Sequence, residues 1–118
     1  MNLVDVHCHL IHEHFKDKLD QVLKRAEKAG LKAIVVSGVN PPANREVLKL
    51  AQKYPKLIKA SLGIYPIDAL GLSEGETGLT RQPEKINLAE EFRFIEKNKE
   101  IVHCIGEIGM DLHCADKE

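Results

Sequence analysis

The sequence predicts a parallel α/β fold built in the order β-α-β-α-β-α-β. Three observations carry that prediction. Short apolar runs rich in β-branched residues, such as LKAIVVSGV at 31–39, alternate with longer segments whose apolar residues recur every three or four positions. Helix punctuation separates the two kinds: Gly30 follows the first periodic segment, and Asn40 with Pro41 and Pro42 precedes the second. Finally, His7, His9, Tyr65 and Glu107 all fall where the predicted strands end, and parallel α/β folds place their chemistry at the carboxyl ends of strands.

Residues 2–9 form the first predicted strand, with Val4 and Val6 among its apolar positions. Residues 16–29 predict a helix through Leu19, Val22, Leu23, Ala26 and Ala29. The run at 31–39 is the second strand. NPPANREVLKLAQKYP then predicts a helix capped by Asn40, with Val47, Leu48 and Ala51 as its buried stripe. Residues 57–64 form the third strand, followed by a long loop at 65–83 and a third helix carrying Leu88, Phe92 and Ile95. Residues 101–108 are the fourth strand. Right-handed crossovers make the four strands parallel and sequentially adjacent.

The chain of 118 residues suffices for one domain with a core. Its net charge of −1 gives no general attraction to nucleic acid or to an anionic membrane, which argues against a non-specific DNA-binding module. That balance still allows an enzyme that holds a phosphodiester briefly at a metal. Three widely spaced cysteines, Cys8, Cys104 and Cys114, form neither a disulfide framework nor a CxxC zinc knuckle. The amino terminus lacks the basic and apolar regions of a signal peptide, and no stretch is long enough to span a bilayer, so a cytoplasmic location is expected.

DVHCHLIHEH, residues 5–14, holds four of the six histidines. Strand alternation puts His7 and His9 on one face and Cys8 on the other, so the two imidazoles can chelate one divalent ion, with Asp5 able to orient a ligand from behind. The bland reading of an HxH pair is a solvated accident. His12 and His14 are expected to face solvent. The HExxH zinc pattern from His12 fails at Lys16, and the inverted HxxEH pattern ending at His14 fails at Leu10. In IGEIGMD, residues 105–111, Glu107 is a carboxylate in an otherwise apolar strand. Such a group is costly to bury without a charged partner: a metal on one reading, a lysine on the other. His103 is expected low in its strand, away from the site.

DVHCHL after the first strand, SLGIYP after the third and IGEIGMD after the fourth resemble, in order and spacing, the TatD-related deoxyribonucleases. These are metal-dependent hydrolases with an amidohydrolase-type TIM barrel. The DxHxH element is shared with other metallohydrolases; GEIGxD in this position is more specific. The resemblance covers the whole chain but only the N-terminal half of the family domain, which implies a parallel β/α half-barrel. It implies that His7 and His9 ligate one metal ion (zinc, magnesium or manganese), that Glu107 is a ligand shared between two metals, and that Asp111 has a positioning role in catalysis. It further implies 3′-5′ exonuclease or related phosphodiesterase activity, with DNA as a substrate and not a lasting partner. Where the family has a histidine in GxHP this chain has Tyr65, a phenol that can donate to a substrate phosphate but is a poor metal ligand. The family's remaining ligands come from later strands. His113 matches none of them, so the expected ligand set is incomplete.

Four parallel strands in sequence leave the first and last as open edges, and a parallel sheet with an uncovered inner face exposes apolar surface. On a flat sheet those two strands lie roughly 14 Å apart at about 4.8 Å per spacing, so a shared metal demands strong curl. A homodimer, or a complementing second chain that holds the curl, is therefore expected.

Overall fold

The computed structural model describes residues 2–71, 79 and 85–111. Four strands, β1 (Leu3–Cys8), β2 (Leu31–Ser37), β3 (Ile58–Leu62) and β4 (Val102–Ile105), form one all-parallel sheet in the order β1-β2-β3-β4. Helices α1 (Leu19–Lys28), α2 (Pro41–Lys53), α3 (Pro66–Leu70) and α4 (Leu88–Lys97) lie between them. The fold is the α/β half-barrel that the alternation of elements predicts.

The core lies between the sheet and the helices. Ile34 and Val36 of β2 and Ile58, Ala60 and Leu62 of β3 pack against Leu23 of α1, Val47, Leu48, Leu50 and Ala51 of α2, and Ile95 of α4. The two central strands are thus the most buried, as their unbroken apolar runs require. α2 starts as its sequence prescribes: the Asn40 side chain accepts the Ala43 N–H at 3.0 Å, with proline in the first turn.

Several boundaries differ from the sequence-based expectation. α1 begins at Leu19 and not at residue 16, with Lys18 at an N-cap that has no side-chain hydrogen bond; a short 3-10 turn, Glu13–Phe15, precedes it. The expected loop at 65–83 contains α3, which starts on Pro66 and stops at Gly71 with φ of 71°, a left-handed conformation that glycine adopts freely. Of the rest of that loop only Leu79 is among the described residues, and His113 and Cys114 lie outside them. β4 ends at Ile105, short of the expected residue 108; the Gly106 N–H still donates to the Leu62 carbonyl at 3.0 Å.

Two apolar expectations fail for one physical reason. Val6 on the edge strand β1 is 73% exposed and Phe92 on α4 is 59% exposed. Nothing among the described residues covers the outside of either sheet edge. The buried positions of α4 are instead Ile95 and, against sequence intuition, Glu91 at 1% exposure.

Candidate metal centre

His7 and His9 come from β1 and its end, and the strand delivers them through a bulge. Asp5 pairs with Ile34 and Cys8 with Val36, so β1 spends one residue more than β2 over this stretch. Bulges re-aim side chains near functional sites. Asp5 accepts the His7 backbone N–H at 3.1 Å, so this carboxylate supports the backbone of the bulge and does not hold an imidazole, as the sequence had suggested it could. The two rings meet edge to face with centroids 5.0 Å apart.

Glu107 arrives from the far side of the sheet. The Gly106–Glu107 segment crosses the end of β3 at Gly63, where a Cβ would stand 2.3 Å from the Glu107 carbonyl oxygen and 2.5 Å from its nitrogen. Only a residue without a side chain leaves room for this crossing. The Glu107 carbonyl accepts the Ile64 N–H at 3.0 Å, and its N–H reaches the Gly38 carbonyl at 3.3 Å. Glu107 thus lies beyond the last residue of β4, and loop contacts set its direction where strand alternation was expected to. The ligand candidates of β1 and β4 meet inside one chain because the backbone after β4 travels back over β3.

Glu107 Oε1 lies 3.2 Å from His7 Nε2 and 3.6 Å from His9 Nε2, and one donor atom from each residue falls within 4.8 Å of the others. Bonds of about 2.0–2.1 Å at tetrahedral angles separate neighbouring donors by roughly 3.3 Å. Two imidazoles and a carboxylate at these separations fit a divalent ion. Asn40, Asn44 and Ser37 prepare the ground. Ser37 Oγ is 3.3 Å from His7 Nδ1 and its carbonyl 3.0 Å from His9 Nδ1, leaving both Nε2 atoms toward Glu107. Asn44 is fully buried on α2: its Nδ2 donates to the Gly63 carbonyl at 2.9 Å and to Glu91 Oε1 at 2.7 Å, and its Oδ1 accepts the Gly63 N–H at 3.3 Å. The Glu91 carboxylate is paired in turn with Arg45, whose guanidinium lies over the Phe94 ring at 3.8 Å. Asn40, besides capping α2, donates to Asp68 Oδ2 of α3 at 3.3 Å.

The remaining predicted residues sort as follows. Tyr65 and Asp111 are brought together, the phenol donating to Asp111 Oδ2 at 2.7 Å. The phenol proton expected to serve a substrate phosphate is thus directed to Asp111 here. His12 is part-buried, not solvent-facing as expected, and its Nδ1 accepts the His14 N–H at 3.1 Å; His14 is exposed beside Lys18. His103 is exposed on β4, bonded to the Ile101 carbonyl at 2.8 Å. None of these three histidines belongs to the ligand cluster. Burial, helped by the Asp5 carboxylate, pushes the Cys8 thiol up to about 12. Ser37, Asn44 and Glu91 escaped sequence reasoning. Ser37 lies within the run read as the second strand and Asn44 within the helix after it, where neither residue type announces a long-range contact, and a glutamate in a helix reads as a solvated face.

An α/β half-barrel that gathers a two-histidine, one-carboxylate set at the carboxyl edge of a parallel sheet has the architecture of a metallohydrolase domain. The chain belongs to the TatD-related DNase family, whose model matches residues 4–118. It is 31% identical over 94% of its length to deoxyribonuclease TATDN3 of Homo sapiens, of which it covers 39%. It is 32% identical over 96% of its length to a protein of Mycoplasma genitalium named as a metal-dependent hydrolase, again covering 39%. A TatD family hydrolase from Entamoeba histolytica superposes with a TM-score of 0.74 at 23% identity, over 99% of this chain and 41% of that one. The chain therefore spans about two fifths of the length of these proteins.

Proposed function

We propose that this protein is a metal-dependent phosphodiesterase of deoxyribonuclease type, working from the ends of DNA strands in the 3′-5′ direction. The observation that carries the reading is the convergence of His7, His9 and Glu107 on one point. The names of its relatives support both the metal and the substrate class. A divalent ion held there supplies a water made nucleophilic near neutral pH and charge to offset the phosphoryl oxygens. The two histidines would hold it, with Glu107 adding the carboxylate. Two imidazoles with a carboxylate suit zinc, whereas manganese or magnesium suits oxygen-rich phosphoryl chemistry. On this reading the Tyr65 phenol, which donates to Asp111 in the free protein, turns its one proton to a substrate phosphate oxygen when substrate binds. Further donors come, on this reading, from a second copy or a complementing chain.

The test is incubation of the purified protein with single-stranded DNA and with bis-p-nitrophenyl phosphate, each with added Mn²⁺, Mg²⁺, Zn²⁺ or chelator. Metal-dependent release of nucleotides that disappears in the double variant His7→Ala, His9→Ala is the expected result. Release that survives both the chelator and the double variant would overturn it. A second reading, metal binding without turnover, draws on the short span of the chain relative to its relatives. It predicts metal binding lost in the same double variant but no cleavage of either substrate.

A further inference from the structure

We infer that Ser37 is the positioning residue of the ligand cluster, selecting Nε2 as the donor atom on both histidines, and that Gly38 extends the same role to Glu107. The inference rests on the metal-centre reading above and deepens it. β2 lies between β1 and β3, so its carboxyl end sits beneath the point where the three candidate ligands meet. The dipeptide Ser37–Gly38 touches all three: Ser37 Oγ faces His7 Nδ1 at 3.3 Å, the Ser37 carbonyl faces His9 Nδ1 at 3.0 Å, and the Gly38 carbonyl accepts the Glu107 N–H at 3.3 Å.

The chemistry of these partners decides which nitrogen is offered to a metal. A carbonyl oxygen can only accept, so His9 must carry a proton on Nδ1, and its neutral ring presents the lone pair on Nε2. A hydroxyl can accept as well as donate. In the metal-bound state that this inference describes, Ser37 Oγ would accept from His7 Nδ1 and give His7 the same tautomer. Both Nε2 atoms already face Glu107 Oε1. Ser37 itself is 2% exposed and cannot swing away to water, so it holds the rings at fixed positions. Gly38 cannot be replaced without disturbing this arrangement, because a Cβ there would stand 2.0 Å from Asn44 Oδ1, and Asn44 in turn grips Gly63 beneath the Glu107 crossing. Hydrogen-bond partners behind metal-binding imidazoles commonly contribute ten- to hundredfold in affinity.

The test uses the full chain labelled with ¹⁵N at histidine, with Zn²⁺ as the probe. Long-range ¹H–¹⁵N correlation identifies the protonated and the metal-bound nitrogen of each ring, and calorimetry gives the affinity. In the wild type, His7 and His9 both show a protonated Nδ1 and a zinc-shifted Nε2. In metal-free Ser37→Ala the His7 ring loses its single tautomer while His9, held by the unchanged main chain, keeps it, and on titration zinc affinity falls about tenfold or more. A serine that only filled space would lower thermal stability without altering the His7 pattern. An unchanged His7 pattern with unchanged affinity in folded Ser37→Ala overturns the inference. So does zinc bound through Nδ1 of either ring in the wild type, a result that needs no variant at all. Absence of zinc from both rings of the wild type overturns the metal centre itself, and is told apart because no histidine resonance then moves.

Discussion

Cys8 and Cys104 show how neighbouring chemistry separates residues of one type. Cys8 is part-buried on β1 with its thiol raised to about 12, while Cys104 is exposed on the edge strand β4. The thiolate is the reactive form, so a raised value means that Cys8 stays protonated well above neutrality. With Cys114 replaced by serine, a thiol reagent at pH 8 should label Cys104 rapidly and Cys8 only on the timescale of unfolding; equal rates would refute the burial argument. Gly63 is the second informative position. Gly63→Ala puts a methyl into the Gly106–Glu107 peptide, and an overpacked site of this kind costs about 1–3 kcal/mol. Thermal melting and zinc calorimetry should both register the change, because the same contact supports the fold and places Glu107. A loss of stability with unchanged zinc affinity would show that Glu107 is positioned by something other than the crossing.

At the scale of elements, α4 carries the clearest lesson. The periodicity of Leu88, Phe92 and Ile95 was legible and correctly marked a helix, yet the buried position beside Ile95 is Glu91. Helix periodicity reports a face only when something covers that face, and what covers α4 here is the Asn44–Arg45 pair of α2, a long-range contact no local pattern announces. The same holds at β1, where the HxH spacing was legible but the bulge that aims it depends on pairing with β2. The central strands were read well because their apolar β-branched runs are buried against the helices. Glu91→Ala removes the carboxylate from Asn44 and from Arg45 and should cost about 2–3 kcal/mol in urea unfolding, below the range for a fully buried pair because Arg45 is part-exposed. Glu90→Ala on the exposed side of the same helix should stay within about 0.5 kcal/mol.

For the whole molecule, the uncovered edges dominate. β4 and α4 border an apolar groove of about 590 Å³ lined by Phe92, Ile95, Val102, Ile105 and Ile108 among others. Val4 and Val6 are exposed at the opposite edge, and Ile108 and Met110 near the site are 79% and 89% exposed. Apolar surface of this extent at open strand edges favours association. Among the described residues no helix is long and apolar enough to cross a membrane. Sedimentation velocity at micromolar concentration should show a dimer that Phe92→Lys weakens. A monomer that unfolds cooperatively at all concentrations would contradict this expectation.

The return of the backbone over β3 also bears on the order in which the chain acquires its properties. His7 belongs to the first strand and Glu107 follows the last, so almost the entire chain separates them. Contacts between such distant residues form late, after the intervening loops have closed. A chain that has built its helices and joined β1 to β3 owns only a pair of histidines, which any partly folded segment could offer. Strong capture of an ion waits for β4 to dock and for Glu107 to pass Gly63. The site should therefore close late in the folding of these elements, and a refolding experiment with a zinc-sensitive dye should find tight uptake in the slowest phase, after the helical signal is complete. An ion held there would link β1 to the segment beyond β4, and the folded state would then gain stability with the logarithm of free metal concentration.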